Sequence, residues 1–121
     1  MDERIEKAFE VANYMATLSN QRRIILEELD QKLIYYVNGA TFKIGSELIN
    51  FTKTVLDLGH VTDVAFLDAN KLPVIIKDVN EFFEEITSIY FESINEYASK
   101  YADLSKKRKI KDIVNLWQPV H

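Results

Sequence analysis

Apolar residues recur every three or four positions over two long stretches of the chain, and between them the pattern shifts to short runs broken by turns. The stretch from Asp78 to Leu104 is the clearer of the two. Phe83, Ile86, Tyr90, Ile94, Tyr97, Tyr101 and Leu104 keep the helical step, which predicts one amphipathic helix. Phe82, Ile89 and Phe91 widen the stripe, and Glu84, Glu85, Glu92, Glu96 and Lys100 fill the other face. Asp78, with Glu81 three residues on, has the composition of a helix start, an acceptor for first-turn amides and a Glu that reaches back. Such a helix is roughly 40 Å long. That is longer than a four-stranded sheet is wide, so one end is expected to pack on another helix or a second subunit. The aromatic stripe reads first as core, and a ligand-stacking surface is the alternative.

The other long stretch runs from residue 3 to about 31. It contains no Gly or Pro and is rich in Ala, Leu, Met, Glu, Gln and Arg, the better helix formers. Ile5, Phe9, Ala12, Ala16, Ser19, Arg23, Leu26 and Leu33 keep a step of three, four or seven, and Met15, Leu18, Ile25 and Leu29 form a second stripe. One long helix is expected, bent near Ser19-Asn20. The alternative ends it at Leu18 and makes residues 22–29 a strand, but Glu27-Glu28 beside Leu29 breaks strand alternation. The small side chains of Ala8, Ala12 and Ala16 allow a second helix to approach closely.

Between the helices lie two hairpin signals. Leu33-Ile34-Tyr35-Tyr36-Val37 and Ala40-Thr41-Phe42-Lys43-Ile44 flank Asn38-Gly39, the pair that a type I′ turn requires because both residues take positive φ. Ser46 is a candidate cap for a short helix over residues 47–58, with Leu48, Phe51, Val55 and Leu58 on one face and Gly59 as its C-terminal glycine. Residues 61–67 and 72–77 then form a second hairpin around Asp68-Ala69-Asn70-Lys71, and Pro73 argues for an edge or bulge on the returning strand. The predicted fold class is α+β, in the order α-ββ-α-ββ-α. Its simplest assembly is a four-stranded, mainly antiparallel sheet packed with two long helices and one short one.

Composition changes this picture little. At 121 residues, residues 1–104 suffice for a single α+β domain, and a net charge of −4 does not suggest a general nucleic-acid binder. With no cysteine there is neither a disulfide framework nor a thiolate metal site, as expected of a cytoplasmic protein. No apolar run approaches a membrane span, no membrane association is expected, and the acidic opening Met-Asp-Glu-Arg is unlike a secretory leader.

The chemistry of catalysis is thin. His60 and His121 stand far apart, without the spacing of a metal pair, and His60 reads as a turn residue after a helix. Asp57, Asp63, Asp68 and Asp78 lack calcium-loop periodicity and read as solvated turn residues. Glu27-Glu28 and Glu84-Glu85 are adjacent in sequence and diverge on a helix, which makes them poor acid–base pairs. Three glycines build no phosphate loop, and no nucleophile elbow occurs. No catalytic residue, metal or cofactor is expected, and the chain does not read as an enzyme.

Residues 105–121 differ in character. Lys106, Lys107, Arg108, Lys109 and Lys111 gather five of the fifteen basic residues. A cluster of this kind suits an acidic protein partner or, as the alternative function, non-specific phosphate contact with a nucleic acid. Tyr35 and Tyr36 could stack bases, but neighbouring strand residues face opposite sides, so only one of them could do so. Ile110, Ile113, Val114, Leu116 and Trp117 follow as a short amphipathic segment, a common docking shape. It either folds back on its own domain or enters another chain.

Three segments carry a resemblance: residues 10–18 (Glu-Val-Ala-Asn-Tyr-Met-Ala-Thr-Leu), residues 35–42 (Tyr-Tyr-Val-Asn-Gly-Ala-Thr-Phe), and Tyr90-Phe91-Glu92 with Asn95-Glu96-Tyr97. Together they resemble a family of small, functionally unassigned proteins of T4-like tailed phages, cyanophages among them, over about residues 3–116. The resemblance implies a phage setting, in host cytoplasm or virion, where small accessory proteins bind virion components, host machinery or nucleic acid. It implies no activity and no site residues. The reading that results is a non-enzymatic interaction or assembly protein, self-associating through its long helices as a homo-oligomer and binding a further protein.

Overall fold

The fold comes from a computed structural model, which describes residues 2–107. It is α+β, in the order α1 (Glu3–Lys32), β1 (Ile34–Val37), β2 (Ala40–Lys43), α2 (Ser46–Asp57), β3 (Thr62–Leu67), β4 (Pro73–Asp78) and α3 (Val79–Lys107). The chain forms two compact units. One is Leu29–Asn95; the other holds the residues up to Glu28 together with those from Glu96 onward. Residues 22–29 are helical, so the strand alternative falls. The last helix runs three residues beyond the expected end at Leu104 and takes Lys106 and Lys107 into its final turn.

Within Leu29–Asn95 the first hairpin turns at Asn38 (φ 50°) and Gly39 (φ 75°), both positive as its turn type demands. Its register pairs Tyr36 with Thr41 and Val37 with Ala40. The Ile44 amide extends the ladder to the Leu33 carbonyl at 2.7 Å. The second hairpin pairs Phe66 with Val74 and Leu67 with Pro73. Pro73 therefore opens its strand, where its missing N–H costs least.

The hairpins remain two separate two-stranded antiparallel sheets, not the single four-stranded sheet that the strand pattern suggests. The reason lies at Thr41. Its amide donates to a carboxylate oxygen of Asp68 at 3.1 Å, and its carbonyl accepts from the Ala69 amide at 2.8 Å. The turn of the second hairpin occupies the edge groups of β2 that a third strand would need.

Helix α2 starts at Gly45, whose backbone is extended and gives no side-chain cap, so Ser46 is the first helical residue and not the expected cap. At the other end Gly59 (φ 88°) closes the helix. Its amide bonds Leu56 O at 2.9 Å and the His60 amide bonds Val55 O at 3.1 Å, the paired bonds of a Schellman ending. His60 is thus a backbone element of the turn. Helix α3 begins as predicted, with the Asp78 carboxylate accepting from the Glu81 amide at 3.0 Å.

The core of this unit gathers on the first turns of α3. Val79, Phe82 and Ile86 are buried with Phe42 and Ile44 from the first hairpin and Phe66, Val74 and Ile76 from the second. The Phe82 ring stands edge-on to Phe42 at 5.3 Å and to Phe66 at 5.4 Å, the geometry that aromatic quadrupoles favour.

In the other unit α1 runs antiparallel to the end of α3. Lys100 Nζ meets Glu28 at 2.8 Å and Glu96 at 3.1 Å, the Arg22 guanidinium lies 5.7 Å over the Tyr101 ring, and Leu18 and Leu104 are buried. The inward line of α1 is Val11, Tyr14, Leu18, Gln21 and Ile25. The more regular apolar line expected to face the core, from Ile5 through Phe9, Ala12, Ala16, Ser19 and Arg23 to Leu26, is exposed along its whole length.

Candidate interaction surface

The outward line of α1 is the main surface feature of the described residues. Thirty residues of helix bury a single side chain fully, Leu18. Ile5 is 49% exposed, Phe9 60% and Leu26 38%, and all three fall on the alternating four–three spacing of a coiled-coil seam. Ala12, Ala16 and Ser19 lie between them, so the middle of the seam is shallow. Arg23 shares this line. It is itself largely exposed and lies 4.0 Å from Glu27 one turn on.

Two further features belong to Leu29–Asn95. A cleft of about 460 Å³ opens at the start of α2, lined by Lys43, Leu48, Phe51 and Leu67 among others; Phe51 packs edge-on to Phe66 at 5.5 Å while staying half exposed. A second cleft of about 270 Å³ lies between β1, β4 and α3, lined by Tyr35, Asp78, Glu81 and Glu85. Burial and then a hydrogen bond to the Glu85 carboxylate push the Tyr35 phenol up to about 12. Tyr36, on the other side of the strand, is 73% exposed, so the alternation expected of this pair holds and only Tyr36 is open to solvent.

Asp68 departs from the expectation of a solvated turn aspartate. It is buried, and its carboxylate accepts from the amides of Asn70 and Leu72, both at 2.8 Å, as well as from Thr41. These bonds, that of Leu72 foremost and then Thr41, hold its carboxyl below the ordinary value of 3.8. The group is a structural acceptor. Asp57, Asp63 and Asp78 are exposed. Among the described residues no three His, Asp or Glu side chains are grouped to hold a metal ion, and no helix is long and apolar enough to cross a membrane.

Of the residues that the sequence nominates for binding, Lys106 is exposed and Lys107 is the last residue of α3. Arg108, Lys109, Lys111 and the docking residues Ile110, Ile113, Val114, Leu116 and Trp117 lie outside the described residues. The sequence did contain the exposed seam, as the line from Ile5 to Leu26, but it was assigned to the core. Asp68 had no local signal, because its third amide comes from a strand 27 residues away.

No protein-family model matches the chain, and neither a curated protein nor a solved structure is significantly similar to it.

Proposed function

We propose that this chain is a non-enzymatic interaction protein that self-associates through the outward face of α1, in the assembly or accessory setting that its likeness to phage proteins suggests. The observation that carries the reading is the exposed line Ile5, Phe9 and Leu26 on a helix of 30 residues that buries only Leu18 fully. Helices in proteins are held mainly by the apolar face they bury, and a sustained exposed apolar line marks a binding surface. The chemistry of the described residues agrees with binding rather than turnover. The carboxylate most engaged by neighbours, Asp68, is spent on three backbone amides, and the perturbed Tyr35 faces carboxylates without a nucleophile or histidine beside it. The Ile110–Trp117 segment is a second candidate docking element, for a further protein.

Light scattering across a concentration series tests the reading. Self-association predicts a mass above one chain that falls on dilution. A single-chain mass at every concentration contradicts it. Retention on DNA or RNA at about 50 mM salt, lost when Lys106, Lys107, Arg108, Lys109 and Lys111 are neutralised, would instead favour the nucleic-acid reading of the basic run.

A further inference from the structure

The outward face of α1 carries enough detail to say how it would be covered, and this step rests on the self-association reading. We infer that the occupant is α1 of a second copy of this chain, lying antiparallel, with Ala12 of each copy facing Ala16 of the other.

The argument begins with spacing. Ile5, Phe9, Ala12, Ala16, Ser19, Arg23 and Leu26 occupy successive seam positions of a heptad pattern, all exposed. A helix that covers this line must meet large side chains at its ends and small ones in the middle. A copy of the same helix supplies both. Alanines at the crossing let two helix axes approach to about 8 Å.

Charge then selects the direction. In a parallel pair, in register, Arg23 would face Arg23 of the other copy across the seam. The carboxylates of Asp2, Glu3, Glu6 and Glu10 would gather at one end with those of the second copy, and the helix dipoles would lie side by side with like ends together. Turning one helix end for end removes all three penalties. With Ala12 opposite Ala16, Phe9 falls opposite Ser19 and Ile5 opposite Arg23. The Arg23 guanidinium then sits beside Asp2 and Glu6, which flank Ile5 on the other copy. Arg23 is available for this: its side chain is 66% exposed and reaches only Glu27 on its own helix, at 4.0 Å. Arg22, by contrast, is directed to the Tyr101 ring. The arrangement has a twofold axis, so the same face serves both copies and the contact closes at two chains.

The absence of cysteine makes the test clean. Ile5→Cys and Arg23→Cys are single changes at exposed positions, made in the full chain. The two proteins are mixed and treated with a short bis-maleimide at a concentration where light scattering reports dimer. The antiparallel seam predicts a cross-link between Cys at 5 and Cys at 23, and none within Ile5→Cys alone, where the thiols are about 27 Å apart along the seam. A cross-link within Ile5→Cys alone overturns the antiparallel order. A dimer with neither cross-link overturns the seam and leaves self-association standing through another surface. A chain that is monomeric throughout removes both.

Discussion

Asp68 and Thr41 join the two hairpins through a side chain and a backbone edge. The carboxylate takes the Thr41 amide at 3.1 Å while also closing its own turn through Asn70 and Leu72, both at 2.8 Å. An ionised oxygen that accepts several amides is worth more than a neutral one. Asp68→Ala leaves three amides without their acceptor and is expected to lower the melting temperature clearly. Asp68→Asn, which keeps one acceptor oxygen, falls between Ala and wild type.

The same carboxylate makes stability depend on acid. Its titration is held below 3.8 in the fold, so its contribution is fully present above the unfolded value and fades as pH falls through the lower folded one. Thermal melts from pH 6 down to pH 2 are expected to lose stability more steeply for wild type than for Asp68→Asn. Parallel curves would deny Asp68 this role.

Tyr35 gives the opposite slope at alkaline pH. With its phenol raised from 10.0 to about 12, the neutral form is favoured by folding. That contribution is intact below pH 10 and is lost as pH climbs towards 12. Phenolate absorbance is expected to show one tyrosine titrating late. The late component disappears in Tyr35→Phe and moves down in Glu85→Gln, which removes the carboxylate but retains burial.

Phe82 is the side chain on which both hairpins converge, through Phe42 and Phe66. Phe82→Ala is expected to cost about 3–5 kcal/mol in urea unfolding, the range for emptying a buried aromatic site. Phe91, exposed at 60%, is the matched control, and Phe91→Ala is expected to stay within about 0.5 kcal/mol of wild type.

The two ends of α2 make a paired test of backbone reasoning. A Cβ at Gly59 meets nothing within 4 Å, but φ there is 88°, so Gly59→Ala is expected to destabilise by about 1 kcal/mol through backbone strain alone. Gly45 is also open, has an ordinary extended backbone and offers no cap. Gly45→Ser is expected to stabilise by about 0.5–1 kcal/mol, supplying a first-turn acceptor and stiffening the unfolded chain.

Elements with local chemistry were legible from the residues. Asn38-Gly39, Gly59, Pro73 and the Asp78 start all do in the structure what their side chains or backbones predict. What was not legible depends on distant neighbours. Helix α1 carries two lines of compatible spacing, and the one that turns inward includes Gln21, whereas the outward one looks more regular. Periodicity identifies a helix without saying which face finds the partner. The missing four-stranded sheet is of the same kind, since the reach of Asp68 to Thr41 has no trace in either segment alone.

Sedimentation equilibrium of wild type beside Phe9→Glu tests the central claim most directly. Phe9 is 60% exposed, so the substitution spares the folded chain while setting a charge in the middle of an apolar seam. The account predicts about 28 kDa for wild type, twice the 14.1 kDa chain, and a single-chain mass for Phe9→Glu. Equal masses for the two proteins, whether both single or both double, would contradict it.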